Sequence, residues 1–135
     1  MSIIALSVIF FSCNNNSAQT KETKEKDYSD FEVFYTDFQN FIAEDNIEGL
    51  KSISSEYILD FYDEGYENHV TDEMKKIIAE TPADKVETFN NRKIIYYKHF
   101  YEGANLEFEA GYSSYGFWFE KVDGKWLISE PFSAG

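Results

Sequence analysis

The chain of 135 residues contains one cysteine, Cys13, and only two prolines and two histidines. A single cysteine excludes an internal disulfide bond. The histidines are too few for a metal site of their own, because such a site would also need carboxylate ligands. The sequence also lacks a glycine-rich phosphate loop and a Ser-His-Asp arrangement. We therefore expect no bound metal and no cofactor.

Basic residues are scarce as well. Lys and Arg number 12 against 25 Asp and Glu, so the formal net charge is −13. This balance argues against nucleic acid as a partner and against adhesion to an anionic bilayer surface. We expect the charge to serve solubility rather than recognition. Aromatic residues are abundant at 19%, which supplies ample material for a core in one domain.

Long hydrophobic runs are absent too, since the apolar stretch from Ile3 to Phe11 is too short to span a bilayer as a helix. Ser12, Cys13 and a polar segment follow it. This pattern resembles a bacterial lipoprotein signal peptide, in which a small residue precedes the cysteine that is lipidated. A plain secretory signal and a buried strand with an incidental cysteine are the alternatives. Met1-Ser2 departs from the pattern because such peptides usually open with Lys or Arg.

The resemblance implies an address in the bacterial cell envelope, facing the periplasm or the exterior. Cys13 would carry a lipid such as palmitate and would attach the protein to a membrane. Residues 1–12 would then be the signal peptide, and residues 13–27 the lipidated cysteine and a flexible polar tether. Residues 28–135 are predicted to form a single domain.

The stretch Phe117–Pro131 carries the clearest structural signal in that domain. Two runs of β-branched and aromatic residues flank Asp123-Gly124, which favours a two-residue type I′ turn because both central residues need positive φ. Pro131 is expected to end the second strand. The turn predicts three cross-strand pairs: Val122 with Lys125, Lys121 with Trp126, and Phe119 with Ile128. The core face of the hairpin then carries Phe117, Phe119, Trp126 and Ile128.

Helices are predicted before the strands. Ser29 and Glu32 form a capping box for a helix from about Asp30 to Glu44. Its apolar stripe has helical spacing and consists of Phe31, Phe34, Phe38, Phe41 and Ile42. Shorter helices are expected after the caps Asp45, Ser54-Ser55 and Thr71, and the last of them should run over residues 72–79.

The middle of the domain is predicted to form strands. Lys85–Phe89 would be a short edge strand, and Arg92–Tyr101 and Ala104–Tyr112 would form a hairpin around Glu102-Gly103. Ser113-Ser114 would link that hairpin to the last one. The predicted pairs are His99 with Leu106, Tyr97 with Phe108, Phe108 with Phe119, and Ala110 with Phe117.

The predicted fold is therefore α+β, with N-terminal helices packed on a curved antiparallel sheet of about four strands. This order, ending in Val122-Asp123-Gly124-Lys125-Trp126, resembles the nuclear transport factor 2-like superfamily, also called the cystatin-like α+β cone. The resemblance covers about residues 28–132. It implies a helix lying across a strongly curved sheet. It also implies a pocket at the mouth of the cone, which some members use for catalysis and others for binding.

The predicted register places an apolar pocket with a few polar groups inside the cone. Its candidate residues are Tyr97, His99, Tyr101, Tyr112, Tyr115, Lys121 and Trp126. His99 could act as a general base. A structural histidine is the favoured interpretation, because no carboxylate is predicted beside it and the Asp of the catalytic members has no match here.

Trp118 and the acidic residues around Gly65 each have a functional and a structural interpretation. Trp118 could anchor a protein partner, or it could equally lie under Leu127, Val122 and one of the middle helices. The acidic residues around Gly65 do not have the spacing of a calcium loop, so we interpret them as a solvated helix end and loop. These residues are Asp60, Asp63, Glu64 and Glu67, followed by His69.

A binding module is the favoured function, for a small apolar or aromatic ligand or for a protein partner. An enzyme that uses His99 is the first alternative. An acidic inhibitor or immunity-type protein that neutralises a basic partner is the second. Association into a homodimer through the open face of the sheet is a further option.

Overall fold

The computed structural model describes residues 26–101 and 111–134, except for the side chains of residues 99–101, 111 and 112. Within these ranges five α-helices precede four strands. The helices span Phe31–Glu44 (α1), Ile47–Ser52 (α2), Leu59–Glu64 (α3), Tyr66–His69 (α4) and Asp72–Glu80 (α5), with 3₁₀ turns at Glu56–Ile58 and Ala83–Lys85. The strands span Glu87–Phe89 (β1), Arg92–Tyr101 (β2), Gly111–Val122 (β3) and Lys125–Ala134 (β4).

The sheet is antiparallel with the strand order β1-β2-β3-β4, and the helices pack on one of its faces. The α+β prediction is therefore confirmed. The buried core lies between α1 and the inner face of the sheet, where Phe34, Phe38, Phe117 and Phe119 are completely inaccessible to solvent. The described part of the chain contains no helix with the length and hydrophobicity needed to cross a membrane.

Helix α1 covers the sheet with its apolar stripe, as its spacing predicts. Phe38 packs against Phe117 and Phe119, with ring centroids 5.5 and 5.0 Å apart. The predicted N-cap is wrong by one residue, because Asp30 rather than Ser29 accepts the hydrogen bond from the backbone N–H of Glu32. Asp and Ser cap about equally well, so the pattern does not separate two adjacent candidates.

The segment before α1 is tied to the helix by a buried carboxylate. Asp37 lies on the second turn of α1 and is 8% exposed. It accepts hydrogen bonds from the Tyr28 hydroxyl at 2.6 Å and from Lys26 Nζ at 2.9 Å. The backbone N–H of Trp126 donates to the carbonyl of Tyr28. The chain is therefore held in place from Lys26 onward.

The other helix caps agree with the sequence in part. Ser55 and Thr71 cap as predicted, and Thr71 begins α5 by accepting from the Met74 N–H. Asp45 does not cap α2. It ends α1 in the left-handed conformation, and Asn46 is the cap of α2. The four-residue helix α4 was not predicted.

The last hairpin has the predicted turn and pairing. Asp123 and Gly124 have φ of 53° and 81°, and the three predicted cross-strand pairs are present. Pro131 does not end the strand, because β4 continues to Ala134 after a bulge near Ser129. A proline fits there because β4 is an edge strand, where a missing N–H can face away from the ladder.

The predicted pairing in the middle of the sheet is wrong. Strand β2 pairs directly with β3, so Tyr97 lies opposite Tyr115 rather than Phe108, and His99 lies opposite Ser113 rather than Leu106. Ser113 and Ser114 continue β3 instead of forming a turn.

The strand predicted for residues 104–112 lies mostly outside the described residues. Its proposed pairing with Phe117 and Phe119 is excluded, because each of these residues already has a partner on both adjacent strands. Phe119 lies between Lys93 and Ile128, and Phe117 lies between Ile95 and Pro131.

Candidate functional site

The predicted pocket residues lie at two separate ends of the inner face. Tyr97 and Tyr115 pair across β2 and β3, with ring centroids 6.2 Å apart. The Tyr97 hydroxyl lies 3.0 Å from Thr71 Oγ1, at the start of α5. Both rings are half-buried. This end of the sheet has aromatic rings and hydroxyl groups close together.

Trp126 and Lys121 belong to the opposite end, beside the hairpin turn. Trp126 packs edge-on against Phe31 with a centroid distance of 5.1 Å, and Lys121 is exposed. Phe117 and Phe119 fill the space between the two ends and are completely buried. The structure therefore does not bring Trp126 and Lys121 together with Tyr97 and Tyr115.

The remaining predicted pocket residues are placed only by their backbone. His99 lies opposite Ser113, Tyr101 opposite Gly111, and Tyr112 opposite Phe100. Their side chains are outside the described part, so their role in a pocket stays a prediction.

Among the described side chains, His69 is a buried histidine, although the sequence pattern predicts that it lies in a solvated helix end and loop. It is 9% exposed and lies at the end of α4. Its Nε2 donates to the carbonyl oxygen of Gly116 at 2.8 Å, since a carbonyl oxygen only accepts. Burial lowers the pKa of His69, and the hydrogen bond to Gly116 offsets part of that effect.

Aromatic rings surround His69 on the inner side. Its centroid lies 5.2 Å from that of Phe117, 5.3 Å from that of Phe61 and 5.7 Å from that of Tyr115. No carboxylate among its described partners orients it, so the geometry is that of a structural histidine. The spacing Tyr62, Tyr66 and His69 is that of one helix face and was the signal available in the sequence. The carboxylates near it are exposed, as predicted.

The face of the sheet turned away from the helices is rich in aromatic side chains. We call it the outer face, and its apolar members are Phe89, Ile94, Tyr96, Trp118, Val122, Leu127 and Phe132. The rings contact one another. The ring centroid of Trp118 lies 6.3 Å from that of Phe89 and 6.2 Å from that of Phe132, and the centroids of Tyr96 and Phe132 are 6.0 Å apart. None of the aromatic contacts found in residues 26–101 and 111–134 joins these rings to a helix.

Arg92, the first residue of β2, lies on the outer face between Phe89 and Glu120. Its guanidinium group stacks on Trp118, 4.2 Å from the ring centroid, and its Nη2 atom lies 2.7 Å from Glu130 Oε2. Its Nε atom is buried without a hydrogen-bond partner in the described structure. Trp118 is half-buried against Arg92, Phe89 and Phe132, and none of its described aromatic contacts is with a helix, so its role as an anchor for a partner stays a prediction.

The outer face has both projecting side chains and a groove. Phe89 is 63% exposed and Val122 is 43% exposed. Beside Val122 a groove of about 610 Å³ is lined by Arg92, Leu127 and Glu130, and Tyr57 stands at its rim with 88% of its surface exposed. Exposed large apolar side chains grouped on one face are typical of an interaction surface.

A second, acidic groove lies on the helical side. It has a volume of about 360 Å³, and the side chains of Tyr62, Tyr66 and several carboxylates line it. Within it Asp45 accepts from Lys75 Nζ at 2.7 Å and from the Tyr66 hydroxyl at 2.9 Å. The lysine holds the pKa of the Asp45 carboxyl below its ordinary value.

The described residues contain no group of three or more His, Cys, Asp or Glu side chains arranged to hold a metal ion. Comparison of the chain with protein-family models, with curated proteins and with solved structures finds no match in any of the three. The structure therefore defines the protein as an α+β domain with a helical layer on one face of its sheet and an aromatic outer face.

Proposed function

We propose that the protein is a lipid-anchored extracytoplasmic recognition domain that binds a protein partner through the outer face of its sheet. The observation that supports this proposal is the cluster of Phe89 and Phe132 around Trp118, on which Arg92 stacks, on the side of the sheet away from the helices. Aromatic and arginine side chains are the residues most enriched at the energetically important centres of protein interfaces.

We favour a protein partner over a small ligand, because the described core is already filled by side chains. Phe117, Phe119 and Ile128 are fully buried there and leave no room between α1 and the sheet. The proposed small-ligand pocket would have to lie at the Tyr97 end, beyond these side chains. The outer face offers a broad surface of the kind that proteins rather than small molecules contact.

The acidic inhibitor stays as a second proposal, supported by the groove on the helical side. Asp63, Glu64 and Glu67 line it; among the described lining residues Lys75 is the basic one, and Lys51 pairs with Asp63 at 3.2 Å. A basic partner bound in this groove would dissociate as the salt concentration rises, since exposed ion pairs are screened. An enzyme based on His99 remains the third candidate, and it requires a carboxylate near a side chain outside the described part.

Photo-cross-linking in living cells tests the proposed recognition face. A photoreactive phenylalanine analogue placed at Phe89, which is 63% exposed, should give a covalent adduct with the partner. The same analogue at Ala79, which is exposed on α5, is the control and should give none. Mass spectrometry of the adduct identifies the partner.

The outcomes separate the candidates. An adduct from position 89 alone supports recognition through the outer face. An adduct from a position in the acidic groove, such as Glu67, with none from position 89, favours the acidic inhibitor. The absence of any adduct from position 89 and from Val122 contradicts the proposal.

A further inference from the structure

The sheet has an open edge beside its shortest strand. Strand β2 pairs with β3 along its whole length, whereas β1 pairs only with Arg92, Lys93 and Ile94 on the other side of β2. We propose that the edge of β2 from Ile95 to Lys98 binds an extended acidic segment of a protein partner, which adds to the sheet as a further strand. The inference goes beyond the function proposed above, because the site is the edge of the sheet and not its outer face.

The open edge presents backbone groups that can form hydrogen bonds. In an antiparallel pair, residues that bond to the neighbouring strand alternate with residues that direct their N–H and C=O groups away from it. Every second residue from Ile95 to Lys98 therefore directs both groups away from β3. Among the described residues these four pair with β3 alone, and no described loop or turn bonds to their backbone. Such groups are the template on which an extended peptide adds a strand.

A groove beside this edge provides room for the added strand. It has a volume of about 290 Å³ and is lined by residues 94–98 of β2 and by Thr81, Lys85, Val86 and Glu87, which precede or begin β1. Successive side chains of a strand point to opposite faces of the sheet. The side chains of the added segment would therefore lie alternately beside Tyr97 on the inner side and beside Tyr96 on the outer side.

The charge beside the edge favours an acidic segment. Lys85 and Lys98 line the groove and are exposed, and neither forms an ion pair with a described residue. Glu87 is the acidic side chain among the described lining residues. By contrast, residues 31–80, which form the helical layer, contain 13 acidic and three basic residues. An acidic segment would be repelled by the helical layer and attracted to this edge.

The same lysines disfavour a second copy of the chain as the occupant. Pairing of two identical edges would bring Lys85 and Lys98 of both copies into one interface, where like charges repel. Lysine at a sheet edge is a common means by which proteins prevent identical edges from joining. An acidic segment instead forms cross-strand pairs of opposite charge with these residues.

Binding of an extended acidic probe to the full chain in detergent tests the proposal. The probe is a short blocked peptide of alternating glutamate and valine. It should slow hydrogen exchange at those amides of residues 95–98 that face away from β3, and a lysine–valine peptide of the same length should bind more weakly. Two further probes carry N-methyl groups on the glutamate or on the valine nitrogens. Because an added strand bonds through alternate residues, only one of these two should lose binding.

Charge substitutions test the choice of an acidic segment. Lys98→Glu should weaken binding of the glutamate–valine probe roughly fivefold or more, because a repulsive pair replaces an attractive one. It should strengthen binding of the lysine–valine peptide. Lys76→Glu makes the same change at an exposed position of α5 and should leave both affinities nearly unchanged. Fluorescence polarisation of labelled probes measures these affinities.

Several results would overturn the proposal. Absence of slowed exchange with the glutamate–valine probe would do so, as would equal binding of the two N-methylated probes. The edge is already occupied if its outward amides are protected in the free chain. Protection that disappears on dilution would identify a second copy as the occupant, and protection at every concentration would identify another segment of the same chain. None of these results changes the cross-linking expected from position 89, which tests the outer face separately.

Discussion

At the scale of single residues, Gly116 is constrained by its neighbours on both faces of the sheet. Its carbonyl oxygen accepts the hydrogen bond from His69 on the inner side. On the outer side a Cβ atom at this position would lie 2.6 Å from Tyr96 Cβ and would also collide with the carbonyl oxygen of Ile95. Glycine is required there because the neighbouring strand approaches too closely for a side chain.

The Gly116→Ala substitution should therefore destabilise the fold. Because backbone atoms are among those in conflict, the strand itself must shift, and we expect a loss on the order of 3 kcal/mol, as for severe overpacking. Gly124→Asn is the control, since a Cβ there meets nothing within 4 Å and asparagine tolerates the positive φ of 81°. Urea unfolding monitored by tryptophan fluorescence measures both. Equal stability of the two variants would contradict the steric argument.

His69 should make the stability depend on pH. Its pKa in the folded state is below the ordinary value of 6.5, so the unfolded chain binds the proton more readily. Its contribution is fully present above about pH 6.5 and is lost as the pH falls through the lowered pKa. In His69→Gln, which can still donate to Gly116, the fall in stability between pH 7.5 and 5.5 should be smaller than in the wild type. Urea titrations at both pH values give the comparison, and parallel pH profiles would refute it.

At the scale of elements, helix α1 and the β3–β4 hairpin form one packing unit. The rings of Phe34 and Phe38 lie edge-on against Phe119, with centroids 5.5 and 5.0 Å apart. Helical periodicity on one element and alternation on the other predict these contacts without further information. Seven of the ten largest fully buried side chains in the described residues therefore come from two segments that are distant in sequence.

Truncation of a fully buried ring in this unit should lower the free energy of unfolding more than truncation of a half-buried ring at its edge. Phe38→Ala removes a side chain with no solvent exposure and should lower the free energy of unfolding by about 3–5 kcal/mol. Phe41→Ala removes a half-buried ring from the same helix and should have a smaller effect. Chemical denaturation distinguishes them. A larger loss at Phe41 would mean that α1 is packed by a different face.

At the scale of the whole molecule, the two faces of the sheet differ in charge and in covering. The helical layer is acidic and covers the inner face, whereas the outer face is balanced in charge and aromatic. Chain entry at Lys26 and Tyr28 lies beside Trp126, next to the β3–β4 turn. A lipid anchor on Cys13 would therefore join the domain at its hairpin end.

The proposed anchor has a direct test in cell fractionation. Cys13→Ser should move the protein from the membrane fraction to the soluble fraction, because a serine cannot form the thioether bond that carries the lipid. Ser12→Ala keeps a small residue before the cysteine and should leave the protein in the membrane fraction. Retention of the Cys13→Ser protein in the washed membranes would refute the anchor.

The sequence alone determined the features that depend on short-range rules. The periodicity of α1, the caps at Ser55 and Thr71, and the turn at Asp123-Gly124 follow from residues a few positions apart. These local signals were enough to predict the α+β class and the core face of the hairpin.

Only the tertiary structure decided which strand β2 joins and where the His69 side chain lies. The pairing of β2 with β3 depends on the competition between distant segments, and alternation fits more than one register. His69 is buried because α4 packs its ring against Phe117, a contact 48 positions away in the sequence. The outer face is likewise defined by which side the helices cover. Such choices are made by burial over the whole chain, so no local pattern records them.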